Sequence, residues 1–243
     1  MKQLSIFILS LALSFCTVLA SYAQSVKGNK NIVTQERKVS QFSALEVYGM
    51  GDIVIKQGAA ESVKVTTDEN IQPYIETVNA GSVLVIRTKF PEDMKGGQLK
   101  SSGLTIEITV KDIQQLTLDA VGEVKIPEEL KLSTLNSKIT RTGNLYLNFA
   151  CKTLNLKADA TGNISMKGSA DNADIEIERA GNLQAFEFAA KKLNATMNAI
   201  GNAELNAEQE LSIDATAIGN LSYKGTASVK KMKTSGTGTV RKM

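Results

Sequence analysis

Residues 143–163 read GNLYLNFACKTLNLKADATGN, so the Gly-Asn pair at its start returns at its end. The spacing persists along the chain through Gly122, Gly143, Gly162, Gly181, Gly201, Gly219 and Gly238. The turns that this pattern predicts are Gly51, Gly122, Gly143-Asn144, Gly162-Asn163, Gly181-Asn182, Gly201-Asn202, Gly219-Asn220 and Gly238. A nearly constant period of about 20 residues is typical of stacked structural repeats.

Each repeat alternates apolar and polar residues on both sides of its glycine. Around Gly162 the apolar positions are Leu156, Ala158, Ile164 and Met166. Such alternation is typical of a strand with one buried and one wet face. We expect the glycine to supply a corner with positive φ and the asparagine to stack on its counterpart in the next repeat. The alternative is that the row of asparagine amides binds a sugar. This period argues against a β-propeller, because one propeller blade needs about 40 residues, twice the observed spacing.

The sequence therefore predicts an all-β protein, a parallel β-helix (a solenoid) with coils of about 19–20 residues and an irregular N-terminal part. An antiparallel sandwich is the alternative, but its strands rarely keep one turn dipeptide at constant spacing. Leu145, Ile164 and Leu183 should lie side by side in the interior.

Three segments are predicted along the chain. Residues 1–23 have the charged start, apolar stretch and small-residue cleavage site of a secretory signal peptide, which predicts export to the periplasm or cell surface. Residues 24–103 form an N-terminal β part, with a short helix at 70–78 and an excursion loop at 90–103. Residues 104–243 hold the regular Gly-Asn repeats.

Composition argues against several classes of function. The chain has no histidine, which removes histidine-based triads and most transition-metal sites. Its net charge of +3 gives no electrostatic case for nucleic acid. Cys151, the one cysteine outside the predicted signal, is expected to be a packed thiol. We therefore predict no catalytic residue, no cofactor site and no metal site, and the oligomeric state stays open.

Charged residues form two groups in the repeats, one acidic and one basic. Asp119, Asp159 and Glu178 each stand three residues before a repeat glycine, so Asp159 and Glu178 could be neighbours about 5 Å apart. That spacing would suit the carboxylate pair of a glycosidase, although a solvated face explains it more simply. The last repeat is basic, and these charges are expected to blunt an open strand edge, with an anion-binding site as the alternative. The residues are Lys230, Lys231, Lys233, Arg241 and Lys242.

The order of motifs resembles one known family. Phe42-Ser43-Ala44-Leu45-Glu46-Val47 is followed by Gly51-Asp52-Ile53-Val54-Ile55-Lys56-Gln57-Gly58 and then by the serial Gly-Asn turns. This arrangement is similar to the head GIN domain of putative autotransporter adhesins, secreted proteins common in Bacteroidetes-type bacteria. The resemblance implies a right-handed parallel β-helix without established activity, and it suggests surface attachment.

Three functions follow from these observations. The first is a secreted, non-enzymatic adhesion or cell-envelope binding module whose partner is a glycan or an envelope component. The second is a carbohydrate-active enzyme that uses surface carboxylates such as Asp159 and Glu178. The third is a structural spacer or assembly unit.

Overall fold

A computed structural model of the protein describes residues 25–90 and 98–243. The predicted signal peptide and residues 91–97 of the predicted excursion loop lie outside the described residues. The strands are β1 (Ser25–Lys27), β2 (Ile32–Arg37), β3 (Ala44–Met50), β4 (Asp52–Gln57), β5 (Ser62–Asp68), β6 (Ile75–Ala80), β7 (Val83–Thr88), β8 (Gln98–Lys100), β9 (Thr105–Val110), β10 (Gln115–Val121), β11 (Val124–Lys125), β12 (Leu130–Thr142), β13 (Leu145–Ala160), β14 (Ile164–Lys224), β15 (Ser228–Ser235) and β16 (Val240–Lys242). A short 3-10 helix, Gln72–Tyr74, precedes β6.

Nearly all of these strands join one sheet. Within residues 25–90 and 98–243 it has 14 strands, with the path β2-β5-β9-β4-β11-β13-β12-β10-β3-β7-β6. Strand β14 adds to β13, and both β15 and β16 add to β14. Strands β1 and β8 form a separate parallel pair. The long strands β12 and β13 sit in the middle of the path and connect its two flanks.

The predicted right-handed parallel β-helix, built of uniform Gly-Asn coils, is wrong as a description of this chain. The sheet is mixed in strand order and curls into a nearly closed, barrel-like shape. In the described part of the chain, β2 with β5, β5 with β9, and β6 with β7 pair antiparallel. One physical reason is the short connection between β6 and β7, at Gly81-Ser82, because so tight a turn can join only antiparallel strands.

The repeat spacing nevertheless decides which residues lie side by side. Strand β13 runs parallel to β14 with Leu145 beside Ile164, an offset of one repeat. Leu145, Ile164 and Leu183 are fully buried, which confirms that they face the interior. The inward side chains of the sheet form one continuous apolar core that includes Leu45, Ile108 and Phe149. The predicted division into residues 24–103 and 104–243 stays a prediction.

The short helix predicted at residues 70–78 is wrong. This segment instead contains one short 3-10 helix, Gln72–Tyr74, and the chain then continues directly into strand β6. Gln72 is buried and its side-chain amide donates to the carbonyl oxygens of Val33 and Val65 at 3.0 and 2.8 Å. Side-chain hydrogen bonds therefore connect this turn to strands β2 and β5.

Asp68 joins three N-terminal segments and makes stability depend on pH. Its buried carboxylate accepts hydrogen bonds from the backbone N–H groups of Ser102 and Lys30, at 2.7 and 2.6 Å, and from the Ser101 hydroxyl at 2.8 Å. The Ser102 hydrogen bond is the main cause that lowers the pKa of Asp68 to about 2. Hydrogen bonds to the charged form favour that form.

We expect Asp68→Asn to lower the free energy of unfolding at neutral pH and to flatten its acid dependence. Because the folded pKa is depressed, the stabilisation is complete above about pH 4, the ordinary range, and is lost as the pH falls through about 2. Denaturant unfolding at pH 7, 4, 3 and 2 measures this. Asp112→Asn, at an exposed position, is the control. Parallel acid profiles for wild type and Asp68→Asn would contradict the assignment.

Candidate functional site

The Gly-Asn residues predicted from the sequence lie one above another along the sheet. The Asn182 side-chain amide donates to Asn163 Oδ1 at 3.0 Å, and the backbone N–H of Asn202 donates to Asn182 Oδ1 at 3.0 Å. The same column contains Asp52, Glu123, Asn144, Asn163, Asn182, Asn202, Asn220 and Thr239. Their role as the turns that determine the fold stays a prediction that substitution can test.

The expectation that each glycine supplies a positive-φ corner is wrong for most of the column. Among the predicted turn glycines only Gly51 and Gly122 have φ in that range, +111° and +155°. In four of the later repeats a left-handed residue lies two positions earlier, at Arg141, Ala199, Ala217 and Gly236. The glycines themselves are needed because neighbouring turns approach closely: a Cβ on Gly201 would meet the carbonyl oxygen of Gly181.

Ala217 therefore carries backbone strain that glycine would relieve. Its φ is 53°, a conformation that costs an L-residue about 1–2 kcal/mol. Part of this gain is offset by the greater chain entropy of glycine when unfolded, about 0.5–1 kcal/mol. We expect Ala217→Gly to raise the free energy of unfolding by about 0.5 kcal/mol in denaturant titrations. Ala60→Gly, at an exposed site outside the left-handed region, should lower it, and equal losses for both variants would refute the strain.

A second column of polar side chains runs along the outer surface of the sheet. Asn155 Nδ2 donates to Asn136 Oδ1 at 2.7 Å, and Asn194 Nδ2 donates to Asp174 Oδ1 at 2.8 Å. Strand pairing places Asn155 beside both Asn136 and Asp174. A parallel column follows at the next outward position of each strand. We call both columns together the polar face: Asn136, Lys138, Asn155, Lys157, Asp174, Glu176, Asn194 and Thr196.

Strict alternation of burial along the strands builds this face. Leu154, Leu156 and Ala158 point into the core, so Asn155 and Lys157 between them must point outward. Two shallow grooves of about 350 and 300 Å³ cross the face and share Asn155 and Lys157. The arrangement offers amide, ammonium and carboxylate groups repeated at the strand spacing of about 4.8 Å.

An adjoining groove of about 510 Å³ is bordered by two arginines. Arg179 binds Asp159 through two hydrogen bonds, Nε to Oδ1 at 2.9 Å and Nη2 to Oδ2 at 2.6 Å. Arg141 binds Asp119 in a similar manner through Nε. Both arginine side chains remain exposed over more than 60 % of their surface. The groove is therefore lined by ion pairs that keep free donor groups on their solvent side.

The predicted neighbouring pair of Asp159 and Glu178 is wrong. The register between β13 and β14 shifts after Ala158, so Asp159 lies beside Arg179 instead of Glu178. A hydrogen bond from Arg179 lowers the pKa of Asp159, and one from Arg141 lowers the pKa of Asp119. A glycosidase needs one carboxyl group with a raised pKa as its general acid. The pKa values of Asp119 and Asp159 are lowered instead, so both side chains favour the ionised form.

Sequence reasoning missed several residues of this surface. Asn136, Asn155, Asp174 and Asn194 follow one another at the interval of the repeat glycines, a signal that the more conspicuous Gly-Asn pairs obscured. Tyr48 also belongs here, since it pairs with Asp119 across β3 and β10 and is 37 % exposed. An exposed ring beside polar groups can stack on a sugar.

The described residues offer little for nucleophilic or metal chemistry. Cys151 is half-buried, and burial raises the pKa of its thiol to about 11, so it is a poor nucleophile. Across residues 25–90 and 98–243 no group of three or more acidic or cysteine side chains is placed to hold a metal ion. In the same residues, no helix has the length and apolar character to cross a membrane.

The fold and this surface define an all-β protein with shallow, polar outer grooves. The chain belongs to the family described as "Putative auto-transporter adhesin, head GIN domain", which matches residues 41–227. The resemblance noted from the sequence is thereby confirmed. No curated protein matches the chain.

Solved structures of similar fold come from Bacteroides and Parabacteroides species. A putative adhesin from Bacteroides fragilis has a TM-score of 0.75 and 20% identity, with 90% of this chain and 100% of that chain covered. A putative adhesin from Parabacteroides distasonis has a TM-score of 0.65 and 21% identity, over 90% and 100% of the two chains. A putative lipid binding protein from the same species has a TM-score of 0.57 and 19% identity, again over 90% and 100%. At these identities the likeness concerns the fold.

Proposed function

We propose that this protein is an exported, non-enzymatic adhesion module of the periplasm or cell surface that binds a polysaccharide through the polar face. The single observation that carries the proposal is the stacked column from Asn136 to Asn194, bordered by the Lys138 to Thr196 column. A polymer with repeating hydroxyl groups presents donors and acceptors at regular intervals. A face whose own polar groups repeat along one axis can meet several of them at once.

The polar face is preorganised for such contacts. The hydrogen bond from each donating Asn amide to its neighbour holds that amide in one orientation. An ion pair holds Lys157, whose Nζ lies 2.6 Å from Glu176 Oε2. Hydrogen bonding to Glu176 raises the pKa of Lys157, so the pair favours the ammonium form of the lysine. Groups held in place lose less conformational entropy on binding. The Tyr48 ring on the same side of the sheet adds a surface on which a sugar ring can stack.

Three observations bear on other functions. The arginine-bound carboxylates Asp119 and Asp159 argue against a carbohydrate-active enzyme. The grooves are lined largely by charged and amide side chains, which suit hydroxyl groups better than acyl chains, although one protein of similar fold is described as lipid binding. A spacer or assembly unit would need no ordered polar column on its outer surface.

The experiment is a glycan array followed by calorimetric titration of the selected oligosaccharide. We expect the double variant Asn155→Ala/Asn194→Ala to bind about 10–100-fold more weakly, since a net hydrogen bond contributes about 0.5–1.5 kcal/mol and two are removed. The matched control is Ser165→Ala/Gln184→Ala, on strand residues beyond the Gly-Asn turns. Circular dichroism verifies that both variants fold. Equal affinity of the two double variants would reject the polar face as the binding site.

A further inference from the structure

The last two strands lie at one end of the sheet and are exposed throughout. Every residue of β15 and β16 is exposed. In the described part of the chain both strands pair with β14 alone, so each leaves one edge without a partner strand. We call residues 228–243 the basic end.

The apolar core reaches the surface at the basic end. Val229 and Met232 lie in register with the buried Leu211 and Ile213 of β14. Val240 likewise continues the position of Leu221. The three outer side chains are 37–40 % exposed because no further strand covers them among the described residues. These side chains form an apolar surface that would gain free energy from burial.

Positive charge surrounds this apolar surface. Residues 228–243 contain five cations and no acidic residue: Lys230, Lys231, Lys233, Arg241 and Lys242. Asp214 forms an ion pair with Lys231, with 3.1 Å between Asp214 Oδ2 and Lys231 Nζ. Lys233 Nζ lies 3.9 Å from the same oxygen. Lys230, Arg241 and Lys242 have no ion-pair partner within residues 25–90 and 98–243. The basic end therefore carries an excess positive charge around exposed aliphatic side chains.

We propose that the basic end docks onto the surface of an anionic phospholipid bilayer. Lys and Arg side chains near such a surface are attracted to its headgroup phosphates, and neighbouring apolar side chains bury into the boundary with the acyl chains. Both elements are present on one end of the sheet. Docking there would leave the polar face, on the side of the sheet, open to its own ligand, so the two interactions are independent.

Charge decides against the other occupants of this edge. A second copy docked through the same end would bring two clusters of five cations together, and like charges facing each other disfavour that pairing. A soluble polyanion would use the cations but would leave Val229, Met232 and Val240 in water. An anionic bilayer satisfies both groups, and the alternatives become outcomes of the test.

The test is co-sedimentation of the purified protein with vesicles of mixed phosphatidylglycerol and phosphatidylcholine, compared with phosphatidylcholine alone. We expect binding to the anionic vesicles that weakens with salt. The variant Lys230→Gln/Arg241→Gln/Lys242→Gln should partition on the order of 100-fold more weakly, about fivefold for each charge removed. The matched control Lys167→Gln/Lys191→Gln/Lys192→Gln loses the same charge from the sides of the sheet and should bind like wild type.

Two more measurements separate the remaining explanations. Met232→Ser keeps every charge and should weaken vesicle binding about fivefold, whereas binding to a soluble polyanion would not change. Thermal unfolding establishes that each variant is folded, and Asn155→Ala/Asn194→Ala should bind vesicles like wild type. No retention on anionic vesicles, equal retention on phosphatidylcholine, an unchanged triple variant, or self-association detected by light scattering would overturn the proposal.

Discussion

Gly219→Ala is expected to lower the free energy of unfolding by about 3 kcal/mol, the upper end of the usual cost of overpacking. A Cβ at this position would point at the carbonyl oxygen of Gly201 on the neighbouring turn. Because the obstructing atom belongs to the backbone, no side chain can rotate away to make room. The two turns would have to separate.

That separation would also strain the hydrogen bonds that connect the turns. The Asn220 backbone N–H and side-chain amide both donate to Asn202 Oδ1, at 3.1 and 3.0 Å. Denaturant unfolding of Gly219→Ala against Gly103→Ala isolates the effect, since a Cβ on Gly103 meets nothing within 4 Å. The control should stay within about 0.5 kcal/mol of wild type. If both alanine variants were equally stable, close approach of the turns could not explain the glycine column.

Phe149→Ala is expected to cost about 4 kcal/mol, the largest effect of any single change considered. Phe149 is fully buried in β13 and pairs with Leu130 on one side and Gly168 on the other. Truncating a buried Phe removes its transfer free energy and leaves a cavity, which together cost about 3–5 kcal/mol. Gly168 offers no side chain to fill the space.

The control for this variant is Phe186→Ala. Phe186 is only half-buried, and Lys224 Nζ lies 5.2 Å from the centre of its ring. Its loss should cost about 1 kcal/mol, since it forfeits part of the apolar burial and a surface cation–π contact. Chemical denaturation of both variants gives the comparison. A cost below about 2 kcal/mol for Phe149→Ala would mean that the core collapses readily around that position.

Periodicity in the sequence correctly predicted some of the residues that meet and some of those that are buried. The regular return of the Gly-Asn pair predicted that Leu145 lies beside Ile164, and the alternation around Gly162 predicted that Leu156 and Ile164 face inward. Both follow from local geometry, because side chains alternate along a strand and a fixed period aligns equal positions. The ordered motifs after Phe42 also identified the family correctly.

Features that depend on contacts distant in sequence could not be predicted in this way. The antiparallel pairing of β2 with β5 places Ile32 beside Asp68, a relation that no period reveals. The register shift after Ala158 moved Arg179 into the position expected for Glu178 and so changed the chemistry of that surface. A single extra residue in one strand is enough for this, because it moves the side chains that follow.

The left-handed residues show the same limit on a smaller scale. Glycine was expected in every corner, yet Ala199 and Ala217 adopt positive φ while Gly201 and Gly219 do not. Glycine is required where backbones approach closely as well as where φ is positive, and the sequence alone does not distinguish the two reasons. The distinction determines which substitution stabilises the protein and which destabilises it.

The measurement that tests the account most directly is an NMR titration of ¹⁵N-labelled protein with the oligosaccharide selected on the array. The side-chain amide of each asparagine gives its own NMR signals, so binding at the polar face can be followed directly on its asparagine residues. We predict that the amide signals of Asn136, Asn155 and Asn194 shift together with saturation, while the signals of Asn182 and Asn202 on the Gly-Asn column stay in place. Shifts confined to the Gly-Asn column, or no shifts at saturating ligand, would contradict binding at the polar face.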